Sequence, residues 1–162
     1  MARKRLIDAQ GNPSAEALLA FLRQDELDYS AAALEFGKEA LPFLKDLIAS
    51  SDENLSTKAA YLVGYIEDDE ADKILTDLAA MGSAPLRVAA AFGAQKRKSA
   101  VAESILQRSL DDQDPSVIKF ALKSVQASKL EKNLKSKIDK ISKNFVDEQI
   151  KTSAGEILKK IK

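Results

Sequence analysis

A basic residue returns at Lys58, Arg87, Lys119 and Lys151, at spacings of 29, 32 and 32. Each stands in a similar setting: Thr57-Lys58-Ala59-Ala60, Leu86-Arg87-Val88-Ala89, Ile118-Lys119-Phe120-Ala121 and Ile150-Lys151-Thr152-Ser153. Cations at equivalent places on successive units form a ladder that could hold phosphates or an acidic protein surface. Two acidic clusters invite a different chemistry. Glu67-Asp68-Asp69-Glu70 with Asp72, and Asp111-Asp112 with Asp114, are rich enough in carboxylates to be read as a divalent-cation site. Neither has the alternating oxygen ligands, central Gly and terminal Glu of a calcium loop. Both fall at helix junctions, where an acid favours the N-terminal dipole of the next helix by about 0.3–1 kcal/mol. Turn and cap chemistry is therefore expected of them, and no metal site.

Much other chemistry is excluded by what the chain lacks. It has no His and no Cys, which removes the commonest general base, the usual metal ligands and the thiol nucleophile. There is no Gly-rich phosphate loop and no Gly-x-Ser-x-Gly elbow. No catalytic residue and no cofactor are implied. The basic residues 129, 132, 135, 137, 140 and 143 are spread around the arc opposite Leu130, Leu134, Ile138, Ile141 and Phe145. A binding stripe would concentrate its charge, so this reads as a solvated face. Lysine also lacks the bidentate fork with which arginine grips phosphate. With no Trp, and with Phe120 and Phe145 in core-like positions, platforms for stacking bases are missing.

Charge is divided along the chain. Residues 1–81 carry 8 Lys/Arg against 16 Asp/Glu, and residues 82–162 carry 17 against 9, although the formal net charge is zero. Such asymmetry bears on association and partners, not on fold. At 162 residues, 45% hydrophobic and 31% charged, the chain suits one globular domain with a substantial core. Met1-Ala2-Arg3-Lys4-Arg5 resembles the start of a signal peptide, but Leu6-Ile7-Asp8-Ala9-Gln10-Gly11-Asn12 supplies no apolar stretch. No run approaches a membrane span. Without a secretion signal, the Asn54-Leu55-Ser56 sequon has no role, and a cytoplasmic location is expected.

The elements that must position these residues are helices. Asn12-Pro13-Ser14 opens a first helix with Ala17, Leu18, Phe21 and Leu22 on one face. Apolar residues then recur at helical spacing over about 27–38, 40–48, 55–66, 70–80, 84–96, 99–110, 116–126, 130–145 and 147–161. Pro42 and Pro115 stand in first turns, where a missing N–H costs little. Ser50-Ser51-Asp52-Glu53-Asn54 and Asp111-Asp112-Gln113-Asp114-Pro115 are turn and cap signals. Gly37, Gly64 and Gly93 form a second phased column. Residues 1–11 are expected to be a flexible segment, and 12–162 a single domain. A period near 30 with two helices per unit marks an all-α fold, an α-α superhelix of about five helical hairpins. In a stacked array the charge split becomes an acidic end and a basic end.

The alternation resembles HEAT repeats, an armadillo-type α-solenoid family. Leu41-Pro42-Phe43-Leu44-Lys45-Asp46-Leu47 is similar to the family's first-helix pattern, Asp114-Pro115-Ser116-Val117 to its turn, and Leu86-Arg87-Val88-Ala89-Ala90 and Ile118-Lys119-Phe120-Ala121 to its second helix. The likeness covers about residues 40–127 well and the flanks loosely, with units shorter than the family's usual ones. It implies that the recurrent cation pairs with turn carboxylates or helix carbonyls of neighbouring repeats. Asp52 precedes Lys58 by six residues and Asp112 precedes Lys119 by seven, whereas Arg87 lacks an Asp at that distance. DNA glycosylases and iron hydroxylases of HEAT-like build need aromatic clefts or His-Glu pairs that this chain does not have.

The resemblance implies second helices lining a concave face, presenting Tyr61, Tyr65, Arg87, Gln95, Lys119, Lys123 and Lys151 as contact residues. The expected role is a non-catalytic protein-binding scaffold, adaptor or inhibitor, meeting an acidic partner through the basic C-terminal half. Three alternatives stay open. One is a bacterial immunity protein that neutralises a toxin. Another is nucleic-acid binding by the basic half. The third is head-to-tail self-association at low salt. No membrane partner is expected.

Overall fold

The computed structural model describes residues 6–161. Their helices are α1 (Glu16–Leu22), α2 (Tyr29–Phe36), α3 (Leu41–Ile48), α4 (Glu53–Val63), α5 (Asp69–Met81), α6 (Ala84–Gly93), α7 (Ser99–Ser109), α8 (Pro115–Ala127), α9 (Lys135–Asn144) and α10 (Glu148–Lys160). Short 3₁₀ turns at Gly37–Ala40 and Ala94–Lys96 complete them. Among the described residues there is no strand, only an isolated antiparallel bridge between Ile7 and Pro13. The all-α class stands, and each stretch with helical periodicity is helical. No described helix is long and apolar enough to cross a membrane. The chain divides into two compact units, Met1–Ile74 and Leu75–Lys162, with the division inside α5.

In the first unit, α4 packs against α1, α2 and α3. The apolar rows that predict this packing are the ones it buries. Leu41 and Leu44 of α3 and Leu55, Ala59, Leu62 and Val63 of α4 lie inside with Leu18, Leu22 and Phe36. Each buried Leu, Val or Phe contributes about 1.5–3 kcal/mol. Ser56 enters this core because its hydroxyl donates to the Ile48 carbonyl at 2.6 Å.

The segment 1–11, expected to be flexible, lies partly within the described residues. Residues 1–5 lie outside the described ones. Residues 6–11 make a hydrogen-bonded turn. The Asp8 carboxylate accepts from the backbone N–H groups of Gln10 and Asn12, both at 2.9 Å. Gly11 takes φ of +82° to close it, and Leu6 is buried. Pro13 is held in the bridge to Ile7, so α1 begins at Glu16 instead of at the Asn12-Pro13-Ser14 signal.

In the second unit α8 contacts both α6 and α10, α7 packs on α6 and α8, and α9 packs on α10. Val117, Ile118, Ala121, Leu122 and Val125 form the buried stripe of α8. Asp28, Asp52, Asp114 and Asp147 cap α2, α4, α8 and α10, accepting from the backbone N–H of Ala31, Leu55, Ser116 and Ile150. Each cap satisfies an N–H that the helix itself leaves unpaired. The Asp68 carboxylate likewise accepts from the Glu70 N–H at 2.9 Å as α5 begins. Both acidic clusters thus contribute to turns and caps.

One boundary moves. Periodicity predicts a helix from Leu130, yet α9 starts at Lys135. Lys129 has φ of +58°. Its N–H donates to the Gln126 carbonyl at 3.2 Å, and the Leu130 N–H donates to the Val125 carbonyl at 3.0 Å. This is a Schellman closure with lysine where glycine is usual. The chain then turns through 131–134, anchored by buried Leu130 and Leu134, before helix resumes. A left-handed residue with a Cβ carries a steric cost, and the Lys129 side chain is exposed. Lys129→Gly should raise the unfolding free energy by about 0.5–1 kcal/mol. An unchanged or lowered urea midpoint would contradict this.

Of the phased glycines, only Gly37 uses a positive φ, at +65°. Gly64 and Gly93 are right-handed helical residues, both buried. Each stands where its helix ends, Gly64 just after α4 and Gly93 as the last residue of α6.

Candidate functional site

The four rungs of the cation column do different things. Lys58 of α4 donates from Nζ to the carbonyls of Leu22 and Gln24, at 3.1 and 3.3 Å. It caps the C-terminal end of α1, where unpaired carbonyls and the helix dipole favour a cation. Arg87 of α6 grips Asp112 with Nε to Oδ2 at 2.7 Å and Nη2 to Oδ1 at 3.2 Å. Its Nη1 donates to the Gly82 carbonyl at 3.1 Å. The Asp112 hydrogen bond holds the guanidinium pKa above its ordinary value. Burial works to raise the Asp112 carboxyl. The hydrogen bonds from Arg87 and from the backbone N–H groups of Asp114 and Gln113 outweigh it and hold that pKa below the ordinary value. Arg87 therefore does find a turn acid, on the turn that follows it by 25 residues.

Lys151 lies 3.6 Å from Glu148 on its own helix. Lys119 is exposed and makes no ion pair among the described residues. One turn further along α8, Lys123 is also exposed, with its Nζ 5.4 Å from the centroid of the Phe120 ring. Phe120 in turn meets Phe92 edge to face at 6.2 Å. Phe120 is half-buried between these two contacts, less enclosed than its core-like position in the sequence suggests.

Lys119 and Lys123 line one groove between α8 and α10, with Lys160, Gln126, Ser153 and Glu156 around it. The nearly buried side chains of Leu122, Ile150 and Ile157 also line this groove of about 240 Å³. Gln126, Ile157 and Lys160 continue into an adjoining hollow of about 310 Å³, where Lys132 and Glu131 stand. Two lysines four apart on a helix repel one another by about 0.2–0.5 kcal/mol. A third ammonium, Lys160, adds to the positive potential, and Glu156 offsets it only in part. An anionic group entering the groove would relieve this repulsion.

The other expected contact residues are elsewhere. Gln95 donates from Nε2 to the Ser124 hydroxyl at 3.1 Å, and that hydroxyl donates to the Ala91 carbonyl at 2.6 Å. Ser124 is fully buried, so Gln95 belongs to an internal network. Tyr61 and Tyr65 belong to the first unit and gather around Tyr29, which stacks on Tyr65 at 5.5 Å and lies 6.1 Å from Tyr61. Burial, followed by the neighbouring phenols, pushes the Tyr29 and Tyr61 pKa values above 10.0. Of the seven residues, only Lys119 and Lys123 share the α8/α10 groove. Lys160, Ser153 and Gln126 were not singled out from sequence. The signal available was the row 119, 123, 126 on one face of α8, visible only once α10 is known to lie beside it.

A larger groove, of about 530 Å³, runs between the Leu110–Gln113 turn and α9, ending at Phe145 and Val146. Its charges are largely spent. Asp111 pairs with Lys137, and Asp112 with Arg87. No family model, curated protein or solved structure matches the chain.

Proposed function

We propose that this chain is a non-catalytic protein-binding module of HEAT-like α-solenoid build. It docks an acidic surface of a protein partner in the groove between α8 and α10. One observation carries the reading. Lys119, Lys123 and Lys160 converge on a single groove, whereas Lys58 and Arg87 of the same repeat pattern are tied into the fold. Charges at such a rim speed and steer encounter more than they set affinity.

Lys119→Glu/Lys123→Glu should therefore slow association with a verified acidic partner about tenfold or more at low salt, with a smaller change in dissociation. Both side chains are exposed, so the helical circular dichroism should be kept. Unchanged association kinetics would remove the groove from the mechanism. A single-stranded oligonucleotide offered in the same assay provides the alternative. Binding that tracks the charge of any polyanion, falling steeply with salt, would favour nucleic acid over protein.

A further inference from the structure

The groove's positive charge has a counterpart within the same chain. The unit Leu75–Lys162 carries 17 Lys/Arg against 10 Asp/Glu, and the unit Met1–Ile74 carries 8 against 15. The acids are densest at the start of α5. Residues 67–72 hold five carboxylates, Glu67, Asp68, Asp69, Glu70 and Asp72, and no cation. Glu67, Asp69 and Glu70 are exposed. Lys119, Lys123 and Lys160 of the groove are exposed as well. Three outward carboxylates on one short stretch thus match three outward ammoniums around one groove.

We propose that the acidic surface seated in the α8/α10 groove is the Glu67–Glu70 segment of a second copy of this chain. This rests on the reading of that groove as a docking site. The contact is heterologous, joining two different patches, so each molecule offers one of each and the contact can repeat. Its specificity is electrostatic. The segment carries no exposed cation before Lys73, and placing it against another acidic patch would be repulsive. Exposed ion pairs are individually weak and screened by salt. The assembly is accordingly one of low ionic strength, where the Debye length reaches about 30 Å at 0.01 M against about 8 Å at 0.15 M.

Sedimentation velocity on the full chain tests this. At about 10 mM salt the wild-type chain should form dimers and larger species, reverting to monomer near 300 mM as screening shortens the Debye length. Lys119→Glu/Lys123→Glu alone should remain monomeric, as should Glu67→Lys/Glu70→Lys alone. Mixed together, they should associate again, because the reversed groove of one now faces the reversed segment of the other. Glu67→Lys by itself, outside α5, serves if the double variant loses helicity through its changed first turn. A wild-type chain that is monomeric at low salt overturns the inference. So does association that survives reversal of the groove lysines, or a mixture that stays monomeric. If the chain is monomeric while Lys119→Glu/Lys123→Glu still slows capture of an acidic partner, self-association fails and the docking groove stands. If that capture is unaffected, the groove reading fails too.

Discussion

Asp112→Ala should cost about 2–3 kcal/mol of stability, lowering the thermal midpoint by roughly 4–10 °C. The carboxylate side chain is 11% exposed and its Arg87 partner 28% exposed, with the short contact at 2.7 Å. A pair so placed is weakened by solvent far less than a surface ion pair. Truncation strands the guanidinium and also removes the acceptor for the Asp114 N–H, held at 2.9 Å. Arg87→Met keeps much of the stem's packing but leaves the carboxylate without its fork and the Gly82 carbonyl without a donor. It should cost nearly as much. The double variant should cost clearly less than the sum, because each single change already breaks the same link. Additive losses in urea unfolding would show that the two side chains do not act as a unit.

The same pair has a pH signature. The folded Asp112 pKa lies below its unfolded value. Its contribution is therefore complete above the ordinary carboxylate range, near pH 4, and is lost as pH falls through the folded value. Asp112→Asn should flatten that acid limb of the stability curve relative to wild type. Sodium chloride should move the wild-type midpoint only slightly.

What the sequence makes legible here follows from the range of each interaction. Helix positions depend on local periodicity, and the Asp caps on a residue and a neighbour two or three places on, so both can be read from a single chain. The α9 start could not be read. Nothing in the letters marks Lys129 as a left-handed residue, because the closure depends on how α8 ends. The cation column was legible as a pattern and divided as chemistry. Lys58 and Arg87 find partners 36 and 25 residues away, and such partners are chosen by packing. Local spacing would have assigned Asp112 to Lys119, seven residues on, when α6 brings Arg87 to it instead. The groove was half legible. Lys119 and Lys123 share a helical face by number alone, whereas Lys160 joins them only because α10 packs on α8.

Phe36→Ala should be the most damaging single change in the first unit, at about 3–5 kcal/mol. Phe36 is 1% exposed, so the cavity left behind cannot fill with water at little cost. The loss also breaks an aromatic chain. Phe36 meets Phe21 at 6.3 Å, Phe21 meets Tyr29 edge to face at 6.1 Å, and Tyr29 stacks on Tyr65. Such ring pairs add about 0.5–1.5 kcal/mol each beyond their buried area. Phe36→Leu retains most of the volume and should cost much less. The readout is built in. The chain has three Tyr and no Trp, and all three tyrosines sit in this cluster, so the near-ultraviolet tyrosine signal reports on it alone. In wild type, burial raises the folded pKa values of Tyr29 and Tyr61. The stability they contribute is whole below pH 10 and is lost as pH rises through the folded values. An absorbance titration should therefore show phenols ionising later than free tyrosine in the wild-type chain. In Phe36→Ala the near-ultraviolet ellipticity should fall and the titration should move back towards the ordinary value. If both are unchanged and the stability loss is below 1 kcal/mol, the ring chain does not hold the tyrosines in place, and their clustering has another cause.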